Sequence, residues 1–439
     1  MKKILLFGAG KSASVLIDYL VTTVTEEKWR LTVADADGAA ARSKLGQSPF
    51  AEAVSVDINE PEQRAGAIRQ ADIVISLLPP ALHYRVAEDC VVYGKNLLTA
   101  SYVDEKIAAL KSELEQKNLL FLCEMGLDPG IDHMSAMRLV NGIQAGGGTI
   151  HSFKSHCGGL VAPESDDNPW HYKISWNPRN IVLAGKAGAV YKADGKKTSV
   201  AYDKIFENCP EITVRDLPAL AWYPNRDSLG YSKLYGLEET STFIRTTLRY
   251  ASFCRAWDVI CHLGLTDTED DCTKYQTVSE WFHDKLKGIE LRKMEWMEYL
   301  QIYVAEKDHT EITEQVDYLG LFEVVPLPYH AKSSADVLQS LLEAKLVLKP
   351  ADKDMIVMLH EIEYSREGQD HKIQSSLLVK GENSLHTAMA KTVGLPLGIA
   401  AKLILKEKIT LKGLHIPVLP EIYDPVLAEL AEWGVQFEG

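Results

Sequence analysis

Short apolar runs alternate with helix-spaced segments over the first 125 residues of the chain. Lys3 to Phe7 is a continuous apolar run, and Leu31 to Ala34, Asp72 to Ser76, Asn96 to Thr99 and Leu119 to Cys123 follow it. Between them, Ser12 to Val24, Pro61 to Arg69, Ala81 to Tyr93 and Asp104 to Lys117 carry apolar residues at helical spacing. Strand, helix, strand at this rhythm predicts a parallel sheet with helices on both faces. Asp132 predicts the cap of a further helix running to Ala145, which the glycines at 146–148 end.

From about residue 150 the pattern changes to longer loops and more aromatics. HCGGLVAPESDDNPWHYKISWNPR, starting at residue 156, mixes proline, acid, amide and aromatic residues. Such a mixture predicts neither a single helix nor a good strand. A metal site, a nucleophile, a ligand loop and a surface excursion are all compatible with it. Thr266 to Asp271 reads as an acidic surface break, and Thr277 to about Leu348 as helices. MIVMLHEIEY, the turn REGQD and HKIQSSLLVK predict a hairpin from Met355 to Lys380. Leu385 to Lys406 returns to helical spacing, and a last helix is expected to start at Asp424-Pro425 and stop at Gly434. The organisation predicted is a parallel α/β domain first, a mixed α/β domain next, and a helical insertion within the latter.

Composition narrows the class of function. Apolar residues make up 46% of the 439 and charged residues 25%, an ordinary globular balance. A formal net charge of −14 argues against nucleic-acid and anionic-membrane partners, which need clustered positive charge. No continuous run of eighteen apolar residues appears, so no membrane-spanning helix is expected. MKKILLFGAG is too short in its apolar part for a signal peptide and reads as a first strand, with a cytoplasmic location expected. The seven cysteines, at 90, 123, 157, 209, 254, 261 and 272, include no CxxC pair. Neither a disulfide framework nor a metal site is predicted, and the thiols are expected to be mostly buried and inert.

Gly8-Ala-Gly-Lys-Ser-Ala13 follows the first apolar run and opens a helix. Gly8 permits the tight turn and Gly10 lets backbone approach a pyrophosphate. Ala13 is small enough for helix–strand packing, and the helix start offers free N–H groups. Asp35, at the end of the second strand, is placed to accept hydrogen bonds from a ribose and to repel a 2′-phosphate. The residues therefore lean towards NAD, with Arg42 and Lys44 as the cations that could fold back to favour NADP. Ser101-Tyr102 follows the fourth strand and EMGLDPGIDH the fifth, positions where open α/β sheets bind ligands. Asp128, before Pro-Gly, is either a turn former or a carboxylate facing the crevice.

GLDPGIDH at 126–133, the CGG-APES-DNP-YK-SW-PR pattern at 157–179, YPNRDS at 223–228 and FIRTTLRY at 243–250 carry a resemblance. With KTVGLPLGIAAKLIL near the C-terminus they cover nearly the whole chain in order. The sequence resembles the saccharopine reductase family, the L-glutamate-forming saccharopine dehydrogenases of lysine metabolism. The resemblance implies a Rossmann-like dinucleotide domain of residues 1–130 and 390–439, and a mixed α/β substrate-binding and dimerisation domain of 131–265 and 350–389. A helical domain of 266–349 completes it. The implied reaction interconverts saccharopine with L-glutamate and α-aminoadipate semialdehyde by hydride transfer to or from NAD or NADP, in a homodimer.

By motif match, Ser101, Tyr102, Asp128, Arg245, Thr246, Leu248, Arg249 and Tyr250 correspond to substrate contacts. Gly8, Gly10, Lys11, Ser12, Asp35, Asp57, Ser76, Leu78 and Ser175 correspond to cofactor contacts. Asp35 departs from relatives that carry a basic residue there. Saccharopine has three carboxylates, and Arg179, Arg226, Arg245 and Arg249 are candidate partners for them. Tyr102, Asp128 and Cys157 are the ionisable groups available for proton transfer. Imine reduction has no place for a thiol nucleophile, so Cys157 is expected to line a ligand loop whose glycines let backbone pass close to a ligand. A related NAD(P)-dependent polyamine-forming enzyme of the carboxynorspermidine type would instead need acidic residues where this chain repeats arginine. A non-catalytic nucleotide sensor would need only the first domain.

Overall fold

The apolar run Lys3–Phe7 forms β1, and its lack of alternation suits a strand covered on both faces. The computed structural model describes residues 1–288 and 295–439. In chain order β2 (Arg30–Asp35), β3 (Ala51–Ser55), β4 (Ile73–Ser76), β5 (Asn96–Thr99) and β6 (Leu120–Leu122) follow. Then come β7 (Thr149–Val161), β8 (Ala189–Ala193), β9 (Lys196–Val200), β10 (Glu211–Ile212), β11 (Leu220–Pro224), β12 (Arg226–Asp227) and β13 (Thr242–Tyr250). The last are β14 (Asp354–Arg366), β15 (Gln369–Lys380) and β16 (Gly413–His415). Packing divides the chain into two compact units. One comprises Met1–Thr149, Ser365–Gln369 and Leu377–Gly439, the other Ile150–Tyr364 and Asp370–Ser376.

The first unit holds a seven-stranded sheet in the order β16-β6-β5-β4-β1-β2-β3, and every pairing in it is parallel. The order reverses between β1 and β4, the switch point where ligands bind at carboxyl ends of strands. Strand β3 was not expected, because AEAVS is short, sits at the sheet edge and carries little apolar signal. The 12–24 segment divides into a short turn, Lys11–Ala13, and the helix Ser14–Glu27. Helix Ile131–Ala145 is capped by Gly130 and not by Asp132. The Asp132 carboxylate lies in the first turn and accepts the Gly130 N–H at 2.6 Å. The last helix spans Pro420–Glu432, starting earlier than Asp424-Pro425, because Pro420 already supplies the first helical position; Pro425 lies inside it.

Helix Ala388–Leu405 is long and apolar enough, by length and composition, to cross a membrane, although no continuous apolar run announced it. In the structure 83% of it is buried. Gly394 and Gly398 lie on it where an added Cβ would come within 2.9 Å of Leu16 and 2.5 Å of Tyr19, both on helix Ser14–Glu27. Its apolar character is that of a core helix packed backbone-close on a neighbour.

The second unit is built on a mixed sheet of nine strands with the path β10-β11-β13-β7-β14-β15, extended by β8, β9 and β12. Strands β7 and β13 pair in parallel, and β11 and β13 antiparallel. Strands β14 and β15 are joined through Glu367 and Gly368, both at positive φ, which matches the expected hairpin. Helices Ala251–His262, Val278–Gly288, Trp296–Tyr303, His309–Tyr318 and Ser334–Lys345 follow. They share one hydrophobic core with Trp170, Tyr172 and Tyr223. Residues 266–349 were expected as a separate domain. They group with the mixed sheet because that core is continuous, and 131–149 group with the parallel sheet.

Candidate active site

In the first unit the glycine loop leaves β1 at its carboxyl end. Gly8 has φ +100°, and an added Cβ would lie 2.8 Å from the Leu77 carbonyl oxygen, so only glycine fits the turn. A Cβ added at Gly10 would meet no atom within 4 Å. That open space, where the loop turns into a helix, fits a pyrophosphate, as the motif requires. Ser12 is half-buried and Lys11 exposed beside it.

Asp35 ends β2 and accepts the Ala9 N–H at 2.7 Å and the Asp37 N–H at 2.9 Å. Its carboxylate thus pins the glycine loop to the second strand and keeps lone pairs for further donors. Lys44 folds back onto the loop, its ammonium donating to the carbonyls of Ala9 at 2.8 Å and Gly10 at 2.7 Å. Burial lowers the Lys44 pKa, opposed by the charges of Asp35 and Asp18. Arg42 lines an open cleft with Ala36, Asp37, Gly38, Ala39 and Ser55, next to Asp35 in sequence and in space. Asp57 is exposed and accepts from the backbone and side-chain amides of Asn59, forming the turn before helix Pro61–Gln70.

At the carboxyl ends of β4 and β5 the geometry is tighter. Ser76 is fully buried, and Leu78 half-buried two residues on. His83, 2% exposed in the first turn of helix Pro80–Val92, joins Ser76 Oγ to its Nδ1 and Ser101 Oγ to its Nε2, each at 2.8 Å. Burial pushes the His83 pKa down to about 4. His83 was absent from the sequence expectations. Its signal was a lone histidine in SLLPPALHY, indistinguishable there from any core histidine.

The GLDPG segment closes on itself. Gly126 N–H donates to Pro129 O at 3.0 Å and Ile131 N–H to Gly126 O at 2.9 Å. A Cβ at Gly130 would fall 2.0 Å from Gly126 O, so the second glycine is obligatory. The resulting turn holds Asp128 half-buried, where its Oδ1 accepts the Tyr102 hydroxyl at 3.3 Å. Behind it His133 Nε2 meets Glu124 Oε2 at 2.8 Å, both fully enclosed, and Glu124 Oε1 accepts Val103 N–H at 3.2 Å. Tyr102 and Asp128 are therefore held from two directions, by one loop and one buried pair that sequence reasoning did not select.

In the second unit the stretch after residue 156 departs from expectation. His156-Cys-Gly-Gly belongs to the thirteen-residue strand β7, and Cys157 lies opposite Thr247 of β13, 7% exposed. Gly158 is needed because a Cβ there would approach Leu248 O to 2.6 Å. The glycine serves close strand packing, and the irregular segment starts only after Val161. Ser175 lies in that segment, 6% exposed.

Alternation along β13 divides FIRTTLRY between two faces. Thr246 faces one way, its hydroxyl 2.7 Å from His156 Nδ1, and Leu248 shares that side against Gly158. Arg245 and Arg249 point the other way, with Cys157 on their side through its Thr247 pairing. Tyr250, at the strand end, donates to Val161 O at 3.4 Å, and burial raises its pKa to about 12.

The Arg245 guanidinium lies 4.4 Å from the centre of the Tyr231 ring. Arg249 is 5% exposed, packs 5.3 Å from Tyr172 and 5.7 Å from Phe253, and donates one N–H to Leu248 O at 2.8 Å. Its Nε–H has no partner, and no carboxylate among the described residues pairs with it. Arg179 is spent elsewhere, on Asp336 at 2.9 Å, and Arg226 is exposed at positive φ. Among the described residues no cluster of three metal-ligating side chains occurs.

Comparison with known proteins agrees with this arrangement. The family models for the saccharopine dehydrogenase NADP binding domain and C-terminal domain match residues 4–122 and 126–435. The chain is 31% identical to the Saccharomyces cerevisiae saccharopine dehydrogenase [NADP(+), L-glutamate-forming], covering 98% of this chain and 97% of that one. It is 33% identical to the Arabidopsis thaliana alpha-aminoadipic semialdehyde synthase over 99% of its own length, and spans 44% of that longer protein. A solved structure of the Saccharomyces cerevisiae L-Glu-forming saccharopine dehydrogenase superposes with a TM-score of 0.89 at 30% identity, over 100% of this chain and 99% of that one. Matched by both family models over most of its length and by a full-length relative at 31% identity, the chain belongs to the saccharopine dehydrogenase family.

Proposed function

We propose that this chain is an NAD(P)-dependent oxidoreductase that interconverts saccharopine and water with L-glutamate and α-aminoadipate semialdehyde. The observation that carries the reading is Arg249, a buried guanidinium with an unsatisfied Nε–H and, among the described residues, no carboxylate partner. Burying a cation without a counter-charge is costly, so the site is built for an anion that arrives with the ligand. A tricarboxylate supplies one, and an unsubstituted polyamine does not. The relatives named as L-glutamate-forming saccharopine dehydrogenases point the same way.

When bound, the dinucleotide supplies the hydride acceptor or donor. The residues of the chain do the rest. Gly8, Gly10 and the N–H groups after them cradle the pyrophosphate. Tyr102 and Asp128, already hydrogen-bonded to each other, hold and move a proton at the substrate nitrogen and at the water that adds to the imine carbon. Arg245 and Arg249 orient carboxylates. Cys157 lines the arginine face without forming a covalent bond.

For the nucleotide we propose NAD, because the Asp35 carboxylate opposes a 2′-phosphate. The cleft lined by Arg42 and Ser55 favours a second reading, NADP, which the yeast relative's name shares. The family resemblance extends the proposal to a cytoplasmic homodimer, testable by sedimentation of the purified protein and by fractionation of cells. Turnover with saccharopine and each oxidised nucleotide, followed by absorbance of the reduced nicotinamide, tests the main reading. Activity on saccharopine with NAD ahead of NADP is expected. A hundredfold preference for NADP, near 2.7 kcal/mol, would overturn the nucleotide assignment. Turnover of a polyamine but not of saccharopine would overturn the reaction.

A further inference from the structure

The hydroxyls of Ser76 and Ser101 lie at the ends of adjacent strands, and His83 bridges them at 2.8 Å on each side. A neutral imidazole donates from one nitrogen and accepts at the other, so the bridge has a direction. Two directions exist, and burial distinguishes them. Ser76 is fully enclosed, and among the described residues its hydroxyl has no other partner. If the imidazole donated to Ser76, the Ser76 O–H would be left as a buried, unsatisfied donor. If Ser76 donates to Nδ1 instead, nothing inside is left unmatched. The Nε2–H then donates to Ser101 Oγ. Ser101 is half-exposed at the strand end, and its own O–H is left pointing for an external acceptor.

From this geometry we propose that His83 is a positioning residue which, as the Nε2–H tautomer, fixes Ser101 as a one-way hydrogen-bond donor to an acceptor oxygen or nitrogen of the bound substrate. The proposal rests on the assignment of Ser101 to the substrate side. Several features support the direction. His83 stays neutral near pH 7 because it is buried, with Asp104 the main opposing charge. A protonated ring would donate at both nitrogens and leave the Ser76 O–H unsatisfied. Helix Pro80–Val92 places the ring in its first turn, where Pro80 and the end of β4 set its entry. Ser101 in turn is restrained through its backbone, with its N–H on Thr99 Oγ1 at 3.4 Å and its carbonyl accepting Glu124 N–H at 3.1 Å. Only the hydroxyl rotor is left to decide, and the imidazole decides it.

The experiment uses the intact chain and three substitutions. His83→Asn keeps an acceptor near the Nδ1 position and loses the donor to Ser101. His83→Gln places an amide N–H near the Nε2 position. Ser101→Ala removes the hydroxyl itself. His83→Asn is expected to raise the saccharopine KM about tenfold while leaving the dissociation constant of the nucleotide within about twofold, and His83→Gln to recover most of that loss. In the Ser101→Ala background His83→Asn should add nothing further, because both act through one hydrogen bond. Full additivity of the two substitutions, or a loss confined to nucleotide affinity, would overturn the proposal. Imidazole ¹⁵N shifts give a readout independent of turnover. A protonated Nε2 and bare Nδ1 at pH 7 are expected, and the opposite tautomer overturns the assignment even if saccharopine proves not to be the substrate.

Discussion

Arg249 and Arg245 sit four residues apart on one strand face, yet they are held differently. Arg245 rests on the Tyr231 ring, whereas Arg249 is enclosed by Tyr172 and Phe253 with an N–H unspent. Lysine in place of either keeps the charge but loses the planar fork, which alone can grip a carboxylate at two points. Arg245→Lys and Arg249→Lys are each expected to lower kcat/KM for saccharopine about a hundredfold or more, within the 2–5 kcal/mol typical of such pairs. Nucleotide affinity should change less than about twofold, as read by binding titration; the reverse pattern would move the arginine to the cofactor. Cys157 lies on the same face, and imine reduction needs no thiol nucleophile, so Cys157→Ser should retain turnover within about a factor of ten. Loss of all activity in a folded, nucleotide-binding variant would contradict that. At this scale much was legible. The motif blocks named Arg245, Tyr102 and Asp128, and the structure brings the latter two into contact. His83, Glu124 and His133 were not legible, because their partners lie 7 to 21 residues away and nothing local marks a histidine as bridging.

Elements that read cleanly were those with one dominant period. Strands β1, β4 and β5 and the 355–380 hairpin appear where unbroken or alternating apolar residues predicted them. Strand β7 did not, because Gly158 and Gly159 depress any local strand signal. Its pairing with β13 overrides that weakness, and Gly158 is what lets the two backbones meet. Gly158→Ala is therefore expected to destabilise the fold by about 1–3 kcal/mol through overpacking against Leu248, measured by urea unfolding. An unchanged midpoint would show that the strands have room to part. The alternation of β13 carries a second lesson. FIRTTLRY matched as one block, but Phe243, Arg245, Thr247 and Arg249 share one face, while Thr246 bonds His156 on the other.

On the scale of the molecule, burial of neutral imidazoles ties stability to pH. The His83 pKa is about 4 in the folded chain, against about 6.5 when unfolded. Between those values the unfolded chain binds more protons, so stability falls as pH is lowered from about 6.5 to 4 and this contribution is flat outside that window. The full effect is about 3 kcal/mol from the size of the shift. Glu361 acts in the same direction further down. Its carboxyl is held at about 2, first by the hydrogen bond to His156, so its contribution is lost as pH falls from about 4.5 through 2. Thermal melts across pH 4 to 7 should show falling Tm with acidity, and His83→Gln should flatten part of that slope. A Tm that rises towards pH 4 would contradict the His83 assignment.

The amino-acid sequence by itself determined the parallel α/β character of the first unit, its glycine loop, Asp35 at the end of β2 and the family to which the chain belongs. Those features are local: a repeat period, a turn that only glycine can make, an ordered set of short blocks. Tertiary structure alone decided that 266–349 share a core with the mixed sheet and that helix Ala388–Leu405 is buried. It also decided that Gly158 serves strand packing, that Arg249 is left without a counter-charge, and that His83 joins two serines. Each of these depends on which groups become neighbours across distant chain, and on how much water is excluded when they do. A one-dimensional pattern records what a residue can do; only the packed surroundings settle which of its hydrogen bonds and charges are left unspent.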